Sequence, residues 1–290
     1  MFKLGVITDE VTQDFKIAVE FTKRHELDGV EIRSVWGKDP FEFDKNDILK
    51  MKELLKGQDI AVCAISAPFY KCDFYNKIEV ANHLEGLKRC IEWANILGAN
   101  IIRGFDFWAC HDRPISLENR VDRYILPSEL AQKSGITLAL EYDPSVNSTN
   151  CEKVAQLVKL INKDNVKTLY DPGNDIYSPD EEVPYPDGYS FIKDLFCHVH
   201  IKDAIRQNGK TTATPVGSGE VDYKGIFSEL ISSKYDGYVM LETHYKPKTD
   251  IDENLLKSPK GEAFSHLGEI ASEESIINMK NIIKDCEVRL

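Results

Sequence analysis

Short apolar runs alternate along the chain with longer stretches in which apolar residues recur every three or four positions. The first pattern fits strands buried on both faces, and the second fits amphipathic helices. Strand-like runs fall at residues 3–8, 29–33, 60–66, 100–105, 137–141, 166–170, 197–201 and 237–242. Helical periodicity fills the intervals near 13–25, 44–56, 76–98, 116–134, 150–161, 189–195, 223–233 and 273–286. It is clearest in 76–98, where Val80, Leu84, Leu87, Ile91 and Ala94 share one face and Gly98 supplies the stop. Eight strands alternating with eight helices predict a single (β/α)8 TIM barrel over residues 1–290, near the ~250 residues such barrels typically take. An open doubly wound sheet would carry a glycine fingerprint after its first strand, but here that strand runs into Thr8-Asp9-Glu10-Val11.

Two connections exceed what a minimal barrel needs, 202–222 after the seventh strand and 245–261 after the eighth. Loops that follow barrel strands build the active-site face, so length there points to function. Four residues of metal-ligating type stand at the C-terminal ends of the last four strands: Glu141, Asp171, His200 and Glu242. Glu141 and Asp171 are 30 residues apart and Asp171 and His200 are 29, about one βα unit each. The 42 between His200 and Glu242 absorb the long loop. Residues one repeat apart lie at one height on neighbouring strands, so the four converge. Strand alternation gives their direction. Leu138 and Leu140 meet the helices, which turns Ala139 and Glu141 inward; Val239 and Leu241 do the same for Met240 and Glu242. Three carboxylates and an imidazole in a small space repel without a cation between them, which predicts one divalent metal ion. The mixed oxygen and nitrogen set suits Mn, Co, Mg or Zn. His198 shares the inward face one layer deeper, where it packs or orients its neighbours.

Charge and cysteine usage narrow the class further. A formal net charge of −12 lacks the basic footprint a nucleic-acid partner needs. The seven cysteines are an odd number with no Cys-x-x-Cys pair, which reads as a reducing, cytoplasmic setting without disulfides. No apolar stretch approaches transmembrane length, and Met1 leads directly into a strand-like run rather than a signal-peptide shape. The expectation is a soluble cytoplasmic protein with no membrane partner.

Six segments carry a resemblance. They are Val30-Glu31-Ile32-Arg33-Ser34-Val35-Trp36-Gly37, Leu140-Glu141-Tyr142-Asp143-Pro144, Tyr170-Asp171-Pro172-Gly173-Asn174, His198-Val199-His200-Ile201-Lys202-Asp203, Pro215-Val216-Gly217-Ser218-Gly219-Glu220 and Gly237-Tyr238-Val239-Met240-Leu241-Glu242. With them the chain resembles the xylose isomerase-like (sugar phosphate isomerase/epimerase) TIM barrels over nearly its whole length. The resemblance implies that Glu141, Asp171, His200 and Glu242 hold a single metal. It implies that Glu141 and Glu242 flank a substrate carbon and exchange its proton, as in the ketose epimerases of that group, and that Arg206 contacts substrate hydroxyls. Asn174 departs from many relatives, which carry His there; it suits a hydroxyl better than a second metal. The apurinic-site endonuclease branch uses three metals, and its Asp-x-His pair after the seventh strand is missing here.

The expected chemistry is proton transfer next to a carbonyl through an enediolate, on a small sugar-like substrate, by an isomerase or epimerase. A lyase dehydrating a keto-polyol or keto-acid of the inosose or dehydroshikimate type shares the first step. A non-catalytic sugar- or metal-binding protein is the third reading. Lys202 shares the parity of His200 and either polarises an oxygen or forms a rim salt bridge with Asp203. Glu31, Arg33, Trp36, Phe69, Tyr70, Phe107, Trp108, His111 and His244 are further mouth candidates. Glu31 and Trp108 are read as touching substrate, the aromatics by stacking on sugar C–H faces; their alternative role is a contact within a homo-oligomer. Gly217-Ser218-Gly219 offers backbone amides to a phosphate, although Glu220 and Asp222 beside it disfavour an anion.

Overall fold

The alternation read from the chain is realised as a closed parallel barrel in a computed structural model that describes residues 2–288. Its strands are β1 (Lys3–Ile7), β2 (Gly29–Ile32), β3 (Ala61–Phe69), β4 (Ile101–Gly104), β5 (Thr137–Glu141), β6 (Val166–Tyr170) and β7 (Phe196–Ile201). After β7 come the short pair β8 (Asp203–Gln207) and β9 (Lys210–Thr214), and β10 (Tyr238–Leu241) completes the barrel. β10 lies between β7 and β1, and β1 pairs with β2, which closes the ring. The β8–β9 hairpin stands outside it as a separate antiparallel ribbon.

The interior is layered. Outward-facing Leu138, Leu140, Val199, Ile201, Val239 and Leu241 belong to the large apolar shell between strands and helices. Inward-facing Ala139 packs with Ala64, Ile101 and Leu169, and Met240 packs with Ile7 and Cys63. This apolar floor carries the polar layer one residue pair further along each strand. All seven cysteines are free thiols.

Helix ends follow their local chemistry. Asp44 and Asp47 form a capping box at helix Lys45–Leu55, Asn76 and Asn150 cap helices Lys77–Leu97 and Cys151–Ile161, and Gly98 ends the former in the left-handed region. Several details differ from the periodicity. The stretch 116–134 breaks at Tyr124, whose hydroxyl donates to the Phe105 carbonyl, giving helices Leu117–Arg123 and Ile125–Lys133. The 189–195 helix shortens to Tyr189–Ile192, while an additional helix, Pro172–Tyr177, follows β6 because Asp171 and Pro172 form a ready N-terminus. The last helix begins at Gly268 rather than 273. The long connection 202–222 contains the hairpin, whose Asp203, Ala204 and Ile205 pair with Thr214, Ala213 and Thr212. Among the described residues no helix is long and apolar enough to cross a membrane.

Candidate metal centre

Each of the four periodic residues reaches the barrel axis by the route its strand dictates. Glu141 is the last residue of β5, His200 lies in β7, and Asp171 and Glu242 directly follow β6 and β10. All four are buried, and one donor atom from each lies within 4.8 Å of every other. Asp171 also caps helix Pro172–Tyr177, accepting the Gly173 N–H at 3.1 Å through Oδ1. Gly173 has no alternative: a Cβ there would overlap the Lys202 side chain and carbonyl oxygen. His200 turns Nδ1 toward Glu242 (3.2 Å) and Glu141 (3.7 Å), while Nε2 faces Glu31 at 3.0 Å. A carboxylate behind the imidazole fixes its tautomer and sharpens the other nitrogen as a ligand. His198 meets the same Glu31 at 2.7 Å.

The donor set fits a divalent cation. Asp171 Oδ2 is buried and has no aligned hydrogen bond among the described residues, although Lys202 Nζ stands 2.5 Å away. Three oxygens and one nitrogen converge, as Mn, Co, Mg or Zn require. Repulsion within the set is nevertheless offset by the protein itself. Lys202 Nζ lies 2.8 Å from Glu242 Oε2, Arg103 Nη1 lies 3.0 Å from Glu141 Oε2, and Arg33 pairs with Glu242, Asp9 and Glu10. The inference that carboxylate crowding alone demands an ion is therefore replaced by one from donor geometry.

These cations set the protonation pattern. Burial would raise the Glu242 carboxyl, but Lys202, His244 and His200 overcome it and hold the group well below the usual range. Burial likewise opposes ionisation of Glu141, which Arg103 nonetheless draws down. Both are carboxylates at neutral pH, the state a base needs. Asp171 goes the other way: burial, with Glu242 and Glu141 beside it, pushes it up to about 8 against the pull of Lys202. The same crowding holds His200 well above its ordinary value, because Glu31 and Glu242 outweigh its burial.

Next to the four residues, which do not themselves line it, opens a cavity of about 640 Å³ whose lining includes Asn174, Lys202, His244 and Lys246. Asn174 and Lys202 join it to the cluster through Glu141, Asp171 and Glu242. Both long connections form its walls, through residues of the β8–β9 hairpin and through Thr249, Asp250 and Ile251. Four residues just past barrel strands, Trp36, Tyr70, Phe107 and His244, have positive φ, a backbone state held by surrounding packing.

The remaining sequence-derived candidates divide. Asn174 lies at the floor and donates to Glu141 Oε1 at 3.1 Å. Lys202 points inward rather than pairing with Asp203. Asp203 instead accepts the N–H groups of Gly217 (2.9 Å) and Gly219 (2.8 Å), so the glycine turn is filled by a carboxylate of the chain. Glu31 is fully buried behind the two histidines and does not line the cavity. Arg206 is directed elsewhere: Nε donates to the Ile176 carbonyl at 3.0 Å and Nη2 to that of Ser178 at 2.8 Å, covering the end of helix Pro172–Tyr177. Trp108 is half-buried beside Lys71, and its neighbours Ala109 and His111 line the cavity at that corner. Phe69, Tyr70 and Phe107 are buried and stacked on one another, with ring centroids 4.0 and 4.3 Å apart, rather than offered to a sugar face. Trp36 faces Lys50 of helix Lys45–Leu55.

Sequence reasoning passed over Asp9, Glu10, Arg103 and Lys246. Arg103 was readable in principle, since it shares the inward face of Ile101 and alternates with outward Ile102. Glu10 was not, because it lies past the strand expected at 3–8, in the short helix Thr8–Val11. That turn is held from the far end of the chain, where Gly268 packs so closely on the Glu10 carbonyl that a Cβ would overlap it, and Ser272 donates to the same oxygen at 3.1 Å.

With this geometry in place, comparison with known proteins is informative. The model of the xylose isomerase-like TIM barrel family matches residues 19–260. The chain belongs to that family. Inosose dehydratase of Clostridium perfringens is 25% identical to it over 134 residues, 41% of this chain and 44% of that protein. Inosose dehydratase of Geobacillus kaustophilus is 25% identical over 145 residues, 45% and 46% of the two chains. The chain thus spans less than half the length of the curated relatives it matches. Among solved structures, D-allulose 3-epimerase from Methylomonas sp. in complex with D-allulose is similar with a TM-score of 0.73 at 16% identity, covering 97% of this chain and 96% of that one. The IOLI protein with a binding zinc atom gives 0.74 at 19% identity over 98% and 99%. At such identities the shared property is the fold.

Proposed function

We propose that this member of the family is a metal-dependent isomerase or epimerase of a small sugar-like substrate, acting by proton transfer next to a carbonyl. The observation that carries the reading is the convergence of Glu141, Asp171, His200 and Glu242 within 4.8 Å, separated from a cavity by Asn174 and Lys202, which touch both. These four residues would hold one divalent ion, which when bound supplies Lewis-acid polarisation of a carbonyl and its neighbouring hydroxyl. Glu141 and Glu242, kept ionised by Arg103, Lys202 and Arg33, take the proton from the substrate carbon and return it. Lys202 at the floor offers a fixed positive charge to the oxygen on which negative charge develops. Asn174 donates to Glu141 Oε1 and Arg103 to Glu141 Oε2, which together fix the carboxylate that moves the proton. Return of the proton to the opposite face gives epimerisation; return to the adjacent carbon gives aldose–ketose isomerisation.

A second reading, dehydration of a keto-polyol, is favoured by the inosose dehydratases among the relatives. It shares the first deprotonation and differs in expelling a hydroxyl as water.

The test is a panel of ketoses, keto-sugars and inososes incubated in deuterated water with Mn2+. Deuterium at one carbon with the skeleton otherwise unchanged supports isomerase or epimerase chemistry, and loss of one water supports the dehydratase. Absence of exchange into every compound, with Glu242→Gln indistinguishable from wild type, defeats both.

A further inference from the structure

The segment after β10 places two nitrogen atoms at the cavity floor that nothing in the proposed proton transfer uses. His244 Nε2 and Lys246 Nζ are buried, line the cavity and have no hydrogen-bond partner among the described residues. Their nearest carboxylates are committed elsewhere. Glu10 accepts Arg33 Nη2 at 2.6 Å and the His244 backbone N–H at 3.2 Å, and it lies 3.4 Å from His244 Nε2 and 3.9 Å from Lys246 Nζ without a hydrogen bond to either. Glu242 is taken by Arg33, Lys202 and His200, leaving His244 Nε2 at 3.5 Å without alignment. A buried ammonium without a counter-ion at hydrogen-bonding distance and a buried donor without an acceptor both carry an uncompensated desolvation cost. Such groups are tolerated where a ligand satisfies them.

The surroundings give the ligand its sign. In a chain of net charge −12, the cavity lining contains Lys202, Lys210, Lys246 and Lys257 against Asp143 and Asp250. Phe264 lies under the Lys246 ammonium (5.1 Å) and edge-on to His244 (5.7 Å), an apolar backing that keeps water from the inner side and strengthens attraction for an anion.

We infer that Lys246, with His244 beside it, is a subsite for an anionic group, carboxylate or phosphate ester, on the substrate. This rests on the reading of a sugar-like substrate bound at the mouth and narrows it to sugar acids or sugar phosphates. The group sits on the β10 side of the floor, and the reacting carbon lies toward Glu141 and Glu242. Charge-assisted bonding to Lys246 fixes the substrate's orientation.

Calorimetry of D-fructose, D-fructuronate and D-fructose 6-phosphate, and of the matching tagatose set, on the manganese-loaded protein tests it. Within each set only C6 changes, from CH2OH to carboxylate to phosphate ester. Wild type is expected to bind at least one anion about tenfold or more tightly than its neutral parent, the worth of one hydrogen bond to a charged group. Lys246→Met loses that factor with the neutral sugar's affinity unchanged, and Lys246→Arg keeps most of it. Preference for fructuronate or for the 6-phosphate assigns the carboxylate or the phosphate. Neutral sugars binding as tightly as both anions, no anion binding in either set, or the preference surviving in Lys246→Met overturns the inference. Failure of the proton-transfer reading is separate: it is seen as anion preference without deuterium exchange into any compound.

Discussion

The two sides of the barrel mouth treat a lysine in opposite ways. On the β3–β5 side, Lys71 lies 2.8 Å from Asp143 with the Phe105 ring 4.5 Å from its ammonium, and Asp143 takes further bonds from Ser145. Aromatic stacking of Phe69, Tyr70 and Phe107 seals that wall. On the β10 side, Lys246 is more deeply buried and lacks such a partner. One lysine has its carboxylate in contact and the other does not. The difference separates packing from binding: satisfied polar groups hold the mouth's shape, while unsatisfied ones mark where something else belongs.

The largest effect is expected where the two sides meet. Glu141→Gln keeps the shape but loses the base, so deuterium exchange into the identified substrate should fall by about 100- to 10,000-fold. Exchange within tenfold of wild type would remove Glu141 from the reaction. Next, Lys71→Met leaves the partly buried Asp143 without its counter-ion and should lower unfolding free energy by about 2 kcal/mol in urea titrations at neutral pH. An unchanged midpoint would mean that the closed wall contributes nothing to stability.

The pH dependence follows from the same pair. Burial opposes ionisation of Asp143, yet Lys71 and the Ser145 bonds draw it from 3.8 down to about 2. A depressed acid stabilises the fold above its unfolded value and ceases to do so as pH falls through its folded one. Roughly 2 kcal/mol should therefore disappear between about pH 4 and pH 2, and that arm should flatten in Lys71→Met. An arm of equal height in both proteins would assign acid unfolding to other carboxylates. The smallest effect has the opposite sign. Lys246→Met removes a buried ammonium whose nearest carboxylate, on Glu10, stands 3.9 Å away, and should raise the stability of the ligand-free protein by about 1 kcal/mol. Destabilisation comparable to that of Lys71→Met would erase the distinction between the two walls.

Glu141, Asp171, His200 and Glu242 were legible in the amino-acid order alone. The barrel repeats about every 30 residues and its strands alternate every two, so position along the chain converts directly into height and direction. The eight strands and most helices were legible for the same reason, as was the inward turn of Ala139 and Met240. Residues off that periodicity were not. Arg206 keeps the expected place in the chain, but the helix Pro172–Tyr177 puts carbonyl groups in front of its guanidinium. Trp108, Phe69, Tyr70 and Phe107 looked available to a substrate, and only side-to-side packing of successive loops showed three of them stacked together.

Tertiary structure alone decided the electrostatics. Arg33 joins Asp9, Glu10 and Glu242 across 24, 23 and 209 residues, and Lys246 meets Glu10 across the closure of the barrel. Local periodicity carries no information about which charges oppose each other around a ring, because opposition depends on closure and on loops whose paths are set by distant contacts. The chain by itself determined a repeat of strand and helix with ligands in step. Which of its cations are spent on that ligand set, and which are left facing the cavity, was determined by the folded ring.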